Sequence, residues 1–108
     1  MKGRGKMMRL NEETKKEVRE VVINFFAEEC EVEVSEINDN TNIIHDIDGD
    51  SLMLIELIEI MKKKYKLEIK LQSIGKYLIK NRAETLQEIL RALYQIFEYG
   101  DDIVTLGE

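Results

Sequence analysis

The sequence predicts an all-α fold, an irregular four-helix bundle with three main helices, a short third helix and a long acidic first loop. Three observations carry this expectation. Apolar residues recur at helical spacing, i, i+3, i+4 and i+7, in three separate stretches. The chain has no proline, no tryptophan and only six glycines, which favours helices joined by short polar turns over a sandwich or barrel. Its 108 residues suffice for one domain, and a hydrophobic fraction of 44% supplies a core and argues against global disorder.

The elements follow in order. Residues 1–10 read as a basic, flexible tail that can meet anionic surfaces but in a segment of this size is usually just disordered. Asn11 can cap a first helix, with Glu12 and Glu13 in the first turn, where the helix dipole favours anions. Val18, Val21, Val22, Phe25 and Phe26 form its apolar stripe, and the helix is expected to end near Glu29 or Cys30. The segment "EVEVSEI" alternates briefly, yet no second strand is evident to pair with it. Residues 31–50 therefore read as a loop, pinned to the core by Val34, Ile37, Ile43, Ile44 and Ile47. Loops of this length inside a compact domain are more often functional.

Ser51 opens a second helix with Leu54, Leu57, Ile58, Met61 and Tyr65 on one stripe. Leu52, Met53, Ile55 and Ile60 widen its apolar surface, as for a central helix buried on two sides or one that also meets a partner. "KLEIKL" reads as an extended connector with Leu67, Ile69 and Leu71 pointing one way. Ile74, Tyr77 and Leu78 mark the short third helix. Thr85 or Asn81 caps the last helix, which carries Leu86, Ile89, Leu90, Leu93 and Phe97 and is stopped by Gly100. The helical domain spans 11–99, and 100–108 read as a loose tail.

Charge is distributed unevenly. Residues 20–61 hold twelve Asp or Glu and no Lys or Arg, whereas the flanking segments are net basic. Such a surface repels nucleic acid and steers toward basic protein partners; ordinary solubilising charge is the alternative, and it carries less weight because bases are excluded from the whole block. Cys30 is the only cysteine, so it has no disulfide or thiolate-zinc partner and reads as an inert buried thiol. No segment has the length and apolar purity of a membrane span, and no signal-peptide pattern is present. A cytoplasmic monomer is the expectation.

The stretch "DIDGDSL", residues 46–52, concentrates the chemistry, and three readings compete for it. In the first, Ser51 is a helix cap worth roughly 1 kcal/mol, although Leu54 stands where a capping box needs Glu or Gln. That leaves Asp46, Asp48 and Asp50 unexplained. A calcium loop would use those alternating aspartates, but Ser51 stands where the sharp-turn glycine belongs and Leu57 where the bidentate glutamate belongs. In the third reading Ser51 is a covalent attachment point, since a phosphate ester at a helix start meets free N–H groups and the positive end of the dipole.

The stretch resembles the attachment motif of acyl carrier proteins: aspartate, an aliphatic residue, glycine, any residue, then "DSL". "DSLMLIELIEIMKKKYKLEI" is similar to that family's second helix and connector, "TNIIHDI" to its loop, and "AETLQEIL" to the opening of its last helix. The likeness covers residues 11–98. It implies a carrier-type bundle with no catalytic activity and no resident metal. It implies that Ser51 receives 4′-phosphopantetheine from coenzyme A and that Asp50 helps the modifying phosphopantetheinyl transferase hold magnesium. Leu52, Met53, Glu56 and Glu59 would meet partners, namely acyl-transferring and acyl-modifying enzymes with basic docking patches, in fatty-acid, lipid or polyketide-type biosynthesis. Core packing for Leu52 and a solvated face for Glu56 are the plainer alternatives. In the family, the helices also shelter the acyl chain in an apolar cleft.

Departures from the pattern imply a specialised rather than a housekeeping member. Asp48 stands where the family usually has glycine, with Gly49 as the neighbour that would supply the turn. Met53 and Glu59 exchange the usual polar and apolar characters. Lys62, Lys63 and Lys64 stand where housekeeping carriers are mostly acidic, and Lys70 replaces the usual proline. An enzyme is the poorer reading: His45 is the only histidine, and its closeness in sequence to Asp46 and Ser51 makes no triad. An unmodified helical interaction module and a peptidyl carrier remain as alternatives. The presence of Ser51 argues against the first, and Asp50, where peptidyl carriers more often have glycine, against the second.

Overall fold

The structure, a computed structural model, describes residues 10–100 apart from Glu68; the expected tails over 1–9 and 101–108 lie outside the described residues. Four helices account for the bundle: α1 (Glu12–Glu29), α2 (Ser51–Tyr65), α3 (Leu71–Lys80) and α4 (Leu86–Tyr99). No strand occurs among the described residues, only an isolated bridge between Asn42 and Thr85.

Each helix starts and stops for a local reason. The Asn11 side chain accepts the Thr14 N–H at 2.8 Å and caps α1, with Glu12 and Glu13 in the first turn. Glu31, at φ 56°, turns the chain away just past the end of α1. Lys66 ends α2 in the left-handed region, and Lys62, Lys63 and Lys64 fill its last turn, where cations suit the dipole. Thr85 caps α4: its Oγ1 accepts the Glu88 N–H at 3.2 Å and Glu88 Oε1 accepts the Thr85 N–H at 3.1 Å. Gly100 closes α4 at φ 58°. Asn81, the competing cap, instead ends α3, where its Nδ2 donates to the Tyr77 carbonyl at 3.0 Å.

The stripes converge on one core. Val18, Val22 and Phe26 of α1 meet Leu57, Ile58 and Met61 of α2 and Leu93, Ile96 and Phe97 of α4, all of them buried. Burial of this kind contributes roughly 1.5–3 kcal/mol per large side chain and dominates the stability of the fold. Tyrosines tie the helices at its edge. The Tyr65 hydroxyl donates to Glu17 Oε1 at 2.8 Å, and burial followed by that bond pushes its pKa up to about 12. The Tyr94 hydroxyl donates to the Lys15 carbonyl at 3.1 Å.

The structure corrects several expectations. Within the long loop, Val34–Glu36 wind into a 3₁₀ turn closed by a reciprocal Glu33–Glu36 cap. Val34 is therefore turned outward and 49% exposed, whereas Ile37, Ile43 and Ile47 are buried and Ile44 is half-buried. Leu71 does not follow Leu67 and Ile69 into the core. It is the first residue of α3, where the rotation changes from extended to helical, and it lies 45% exposed. The third helix is also longer than its three marker residues suggest, at ten residues.

The cap of α4 gives a direct stability test. Thr85→Ala removes the Oγ1 acceptor and is expected to cost roughly 1 kcal/mol, lowering the thermal midpoint by about 4–8 °C for a domain of this size. The Glu88 carboxyl is held below its ordinary range, first by the Glu84 N–H and then by the Thr85 N–H. A depressed carboxyl stabilises the fold above its unfolded pKa and loses that contribution as pH falls through the folded one. Glu88→Gln is therefore expected to weaken the acid dependence of unfolding below about pH 4.5, measured by thermal melts across pH.

Candidate functional site

The loop before α2 is fixed by its own polar side chains and by the start of α4. Asn42 Oδ1 accepts the N–H groups of Ile44 and His45 at 3.0 and 2.9 Å, and Asp46 Oδ2 accepts the Asn42 N–H at 2.9 Å. This is the local turn chemistry that Asn and Asp side chains supply. Backbone bonds then dock the loop on α4: Ile43 N–H to the Glu84 carbonyl at 2.8 Å, Leu86 N–H to Thr41 at 2.9 Å and Gln87 N–H to Asp39 at 3.1 Å. The start of α4 thus also holds the loop that delivers Ser51.

The three aspartates have three separate tasks. Asp46 locks the turn. Asp48 adopts φ 61°, the left-handed region where Asp is one of the few tolerated non-glycine residues. Asp50 is the N-cap of α2, its Oδ1 accepting the Met53 N–H at 2.9 Å. The cap is therefore Asp50 and not Ser51, which is the first helical residue. Asp accepts the same bond with a full charge, which is why it takes the position.

Gly49 does not supply the positive φ; Asp48 does. Its reason is steric. A Cβ at 49 would lie 2.6 Å from Ile43 Cγ2 and 2.9 Å from the Ile43 carbonyl oxygen, which accepts the Gly49 N–H at 2.7 Å. Glycine alone allows this approach.

On the outer face of α2, Leu52 is 76% exposed, and Glu56 and Ile60 are exposed at the next two turns. Core packing therefore does not account for Leu52. Met53 and Glu59 are half-buried. Cys30 donates its S–H to Met53 Sδ at 3.9 Å and is half-buried rather than fully buried. Burial, then the charges of Glu29, Asp48 and Asp50, push its thiol pKa up, so little thiolate forms. His45 is exposed, with Nε2 3.8 Å from Glu84 Oε1, while Arg82 Nη2 holds the other oxygen of Glu84 at 2.6 Å.

An apolar cavity of about 490 Å³ opens beside the first turns of α2. Leu52, Leu54 and Ile55 form one wall, and Ile44 of the loop with Gly75, Leu78 and Ile79 of α3 line it too. The rim includes Arg82 and Glu84. The sequence pointed to surplus apolar surface on 52–61 but not to the α3 wall. The only signal there was Ile79, an exposed isoleucine outside the core stripe, 81% exposed in the structure.

With this geometry in view, the comparisons with known proteins are specific. The family described as "Phosphopantetheine attachment site" matches residues 20–93. The "Acyl carrier protein homolog" of Clostridium acetobutylicum is 58% identical over 102 residues, spanning 94% of this chain and 99% of that protein. The "Acyl carrier protein" of Chlamydia caviae is 40% identical over 48 residues, 44% of this chain and 62% of that one. No solved structure matches. These matches mark the chain as a carrier rather than an enzyme. The chain belongs to the acyl carrier protein family, and its prosthetic group is 4′-phosphopantetheine.

Proposed function

We propose that the chain carries acyl groups as thioesters on 4′-phosphopantetheine at Ser51 and delivers them to enzymes of fatty-acid, lipid or polyketide-type biosynthesis. The observation that carries this is the position of residue 51, the first of α2, next to Leu52 on the wall of an apolar cavity. The residues fit the group. Amides at a helix start and the dipole favour a phosphate ester, and the cavity suits a hydrocarbon chain. When bound, the group supplies the thiol that holds the acyl cargo. Cys30, with its raised pKa, does not compete for that role.

Asp50 serves twice in this reading, as the cap of α2 and as the carboxylate that helps the transferase hold magnesium. Leu52, Glu56 and Ile60 form the outward stripe for docking, with Met53 and Glu59 along its borders. The site faces cytoplasmic enzymes with basic patches. Lys62, Lys63 and Lys64 reverse the charge at the far end of α2, which favours partners other than the housekeeping set.

The experiment is intact mass after incubation with coenzyme A, magnesium and a broad-specificity phosphopantetheinyl transferase. The expected result is a gain of one phosphopantetheine. No gain with several transferases, on folded protein, favours an unmodified interaction module. Affinity for the transferase is also expected to fall roughly tenfold or more as salt rises from low to physiological, because the encounter is steered by exposed acids. Titration at three salt concentrations checks it, and a salt-independent affinity would count against this docking surface.

A further inference from the structure

Gly75 lies inside α3 without any of the usual reasons for glycine. Its φ is not in the left-handed region. A Cβ built at 75 meets nothing within 4 Å, in contrast to Gly49. An interior glycine weakens a helix, so a stabilising alanine would fit this position without any clash. What glycine leaves is room, because residue 75 lines the cavity beside α2.

We propose that Gly75 sets the size of the acyl group the chain can hold. The cargo is then an apolar acyl chain, long enough to lie against the α3 backbone at this point. The inference rests on the carrier reading above. The cavity is continuous with the first turns of α2 through Leu52, Leu54 and Ile55, and Ile44 and Leu78 add hydrocarbon. Its rim carries one carboxylate, and that is held by its neighbours. Glu84 holds Arg82 Nη2 at 2.6 Å through one oxygen and Asn42 Nδ2 at 3.2 Å through the other. A polar or aminoacyl cargo would lose its hydration against this apolar lining, whereas a hydrocarbon gains from leaving water.

The test loads the full chain from acetyl, octanoyl and palmitoyl coenzyme A with the same transferase, and reads the rate of thioester cleavage by hydroxylamine. In the parent, the octanoyl and palmitoyl thioesters are expected to be cleaved roughly tenfold more slowly than acetyl, as when about nine molecules in ten hold the chain inside. Gly75→Phe is expected to remove that protection for the long groups and leave the acetyl rate unchanged. Gly75→Leu, a smaller filler, serves if the phenylalanine variant does not fold. Lys76→Phe adds the same bulk at an exposed neighbour that does not line the cavity, and is expected to keep the parental profile.

Equal chain-length profiles in the parent and in a folded, loaded filler variant would overturn the inference. So would a parent that loads but cleaves all three thioesters alike, or a Lys76→Phe profile matching Gly75→Phe. A parent that takes up no acyl-phosphopantetheine would instead overturn the carrier reading beneath it.

Discussion

Ser51→Ala is expected to fold as the parent does and to gain no mass under conditions that load the parent completely. The first half follows from the cap. Asp50 accepts the Met53 N–H at 2.9 Å, so the N-cap bond of α2 survives the replacement of Ser51. Alanine is also a strong helix former. A stability change within about 0.5 kcal/mol is expected, checked by urea unfolding. The second half follows from chemistry, since the methyl of alanine offers no oxygen to phosphorylate. Loss of loading with unchanged stability then reports attachment and not unfolding.

Asp50 separates two roles that coincide at one carboxylate. Asp50→Asn keeps a side-chain acceptor, and asparagine caps helices about as well as aspartate. It is expected to melt close to the parent and load more slowly, because the charge offered to magnesium is gone. Asp50→Ala loses both and is expected to cost roughly 0.5–2 kcal/mol as well. If Asp50→Asn loads at the parental rate, the carboxylate is a cap and nothing more.

How far the sequence reaches depends on the kind of information each residue carries. Periodicity reports which face of a helix is apolar, so the stripes from Val18 to Phe26 and from Leu86 to Phe97 were legible, and the caps at Asn11 and Thr85 with them. Periodicity does not report which neighbour covers that face. Val34 and Leu71 sit in apolar patterns yet point outward, because the 3₁₀ turn and the start of α3 rotate them away. The site was legible as a motif, whereas its mechanics were not. Which of the adjacent Asp48 and Gly49 takes the left-handed conformation depends on where Ile43 lies, and Ile43 is placed in part by its bond to Glu84, far along the chain. The α3 wall of the cavity was hidden for a related reason. A lone interior glycine gives no sign in sequence of whether it faces a neighbour or a void.

The Asp48–Gly49 pair therefore carries the sharpest structural prediction. Gly49→Ala must place a methyl 2.6 Å from Ile43 Cγ2 and 2.9 Å from the Ile43 carbonyl oxygen. The side chain is buried, so it has little freedom to retreat. The carbonyl has less, because the Ile43 N–H is bonded to Glu84 at 2.8 Å and the loop is docked on α4. The strain is expected to destabilise the fold by about 1–3 kcal/mol, with Gly49→Val at or beyond the upper end, seen as a fall of several degrees in the thermal midpoint. Asp48→Gly is expected to behave differently. It relieves a left-handed non-glycine residue but frees the unfolded chain, and the two effects offset to within about 1 kcal/mol. A family-typical glycine at 48 is thus tolerated here, whereas the glycine at 49 is obligatory. The Gly49 variants are also expected to load slowly at temperatures where they remain folded, since relief of the clash must move the loop that leads into Ser51. A Gly49→Ala chain as stable as the parent would show that the loop yields freely, and with it that the approach of Ile43 does not hold the entry to α2.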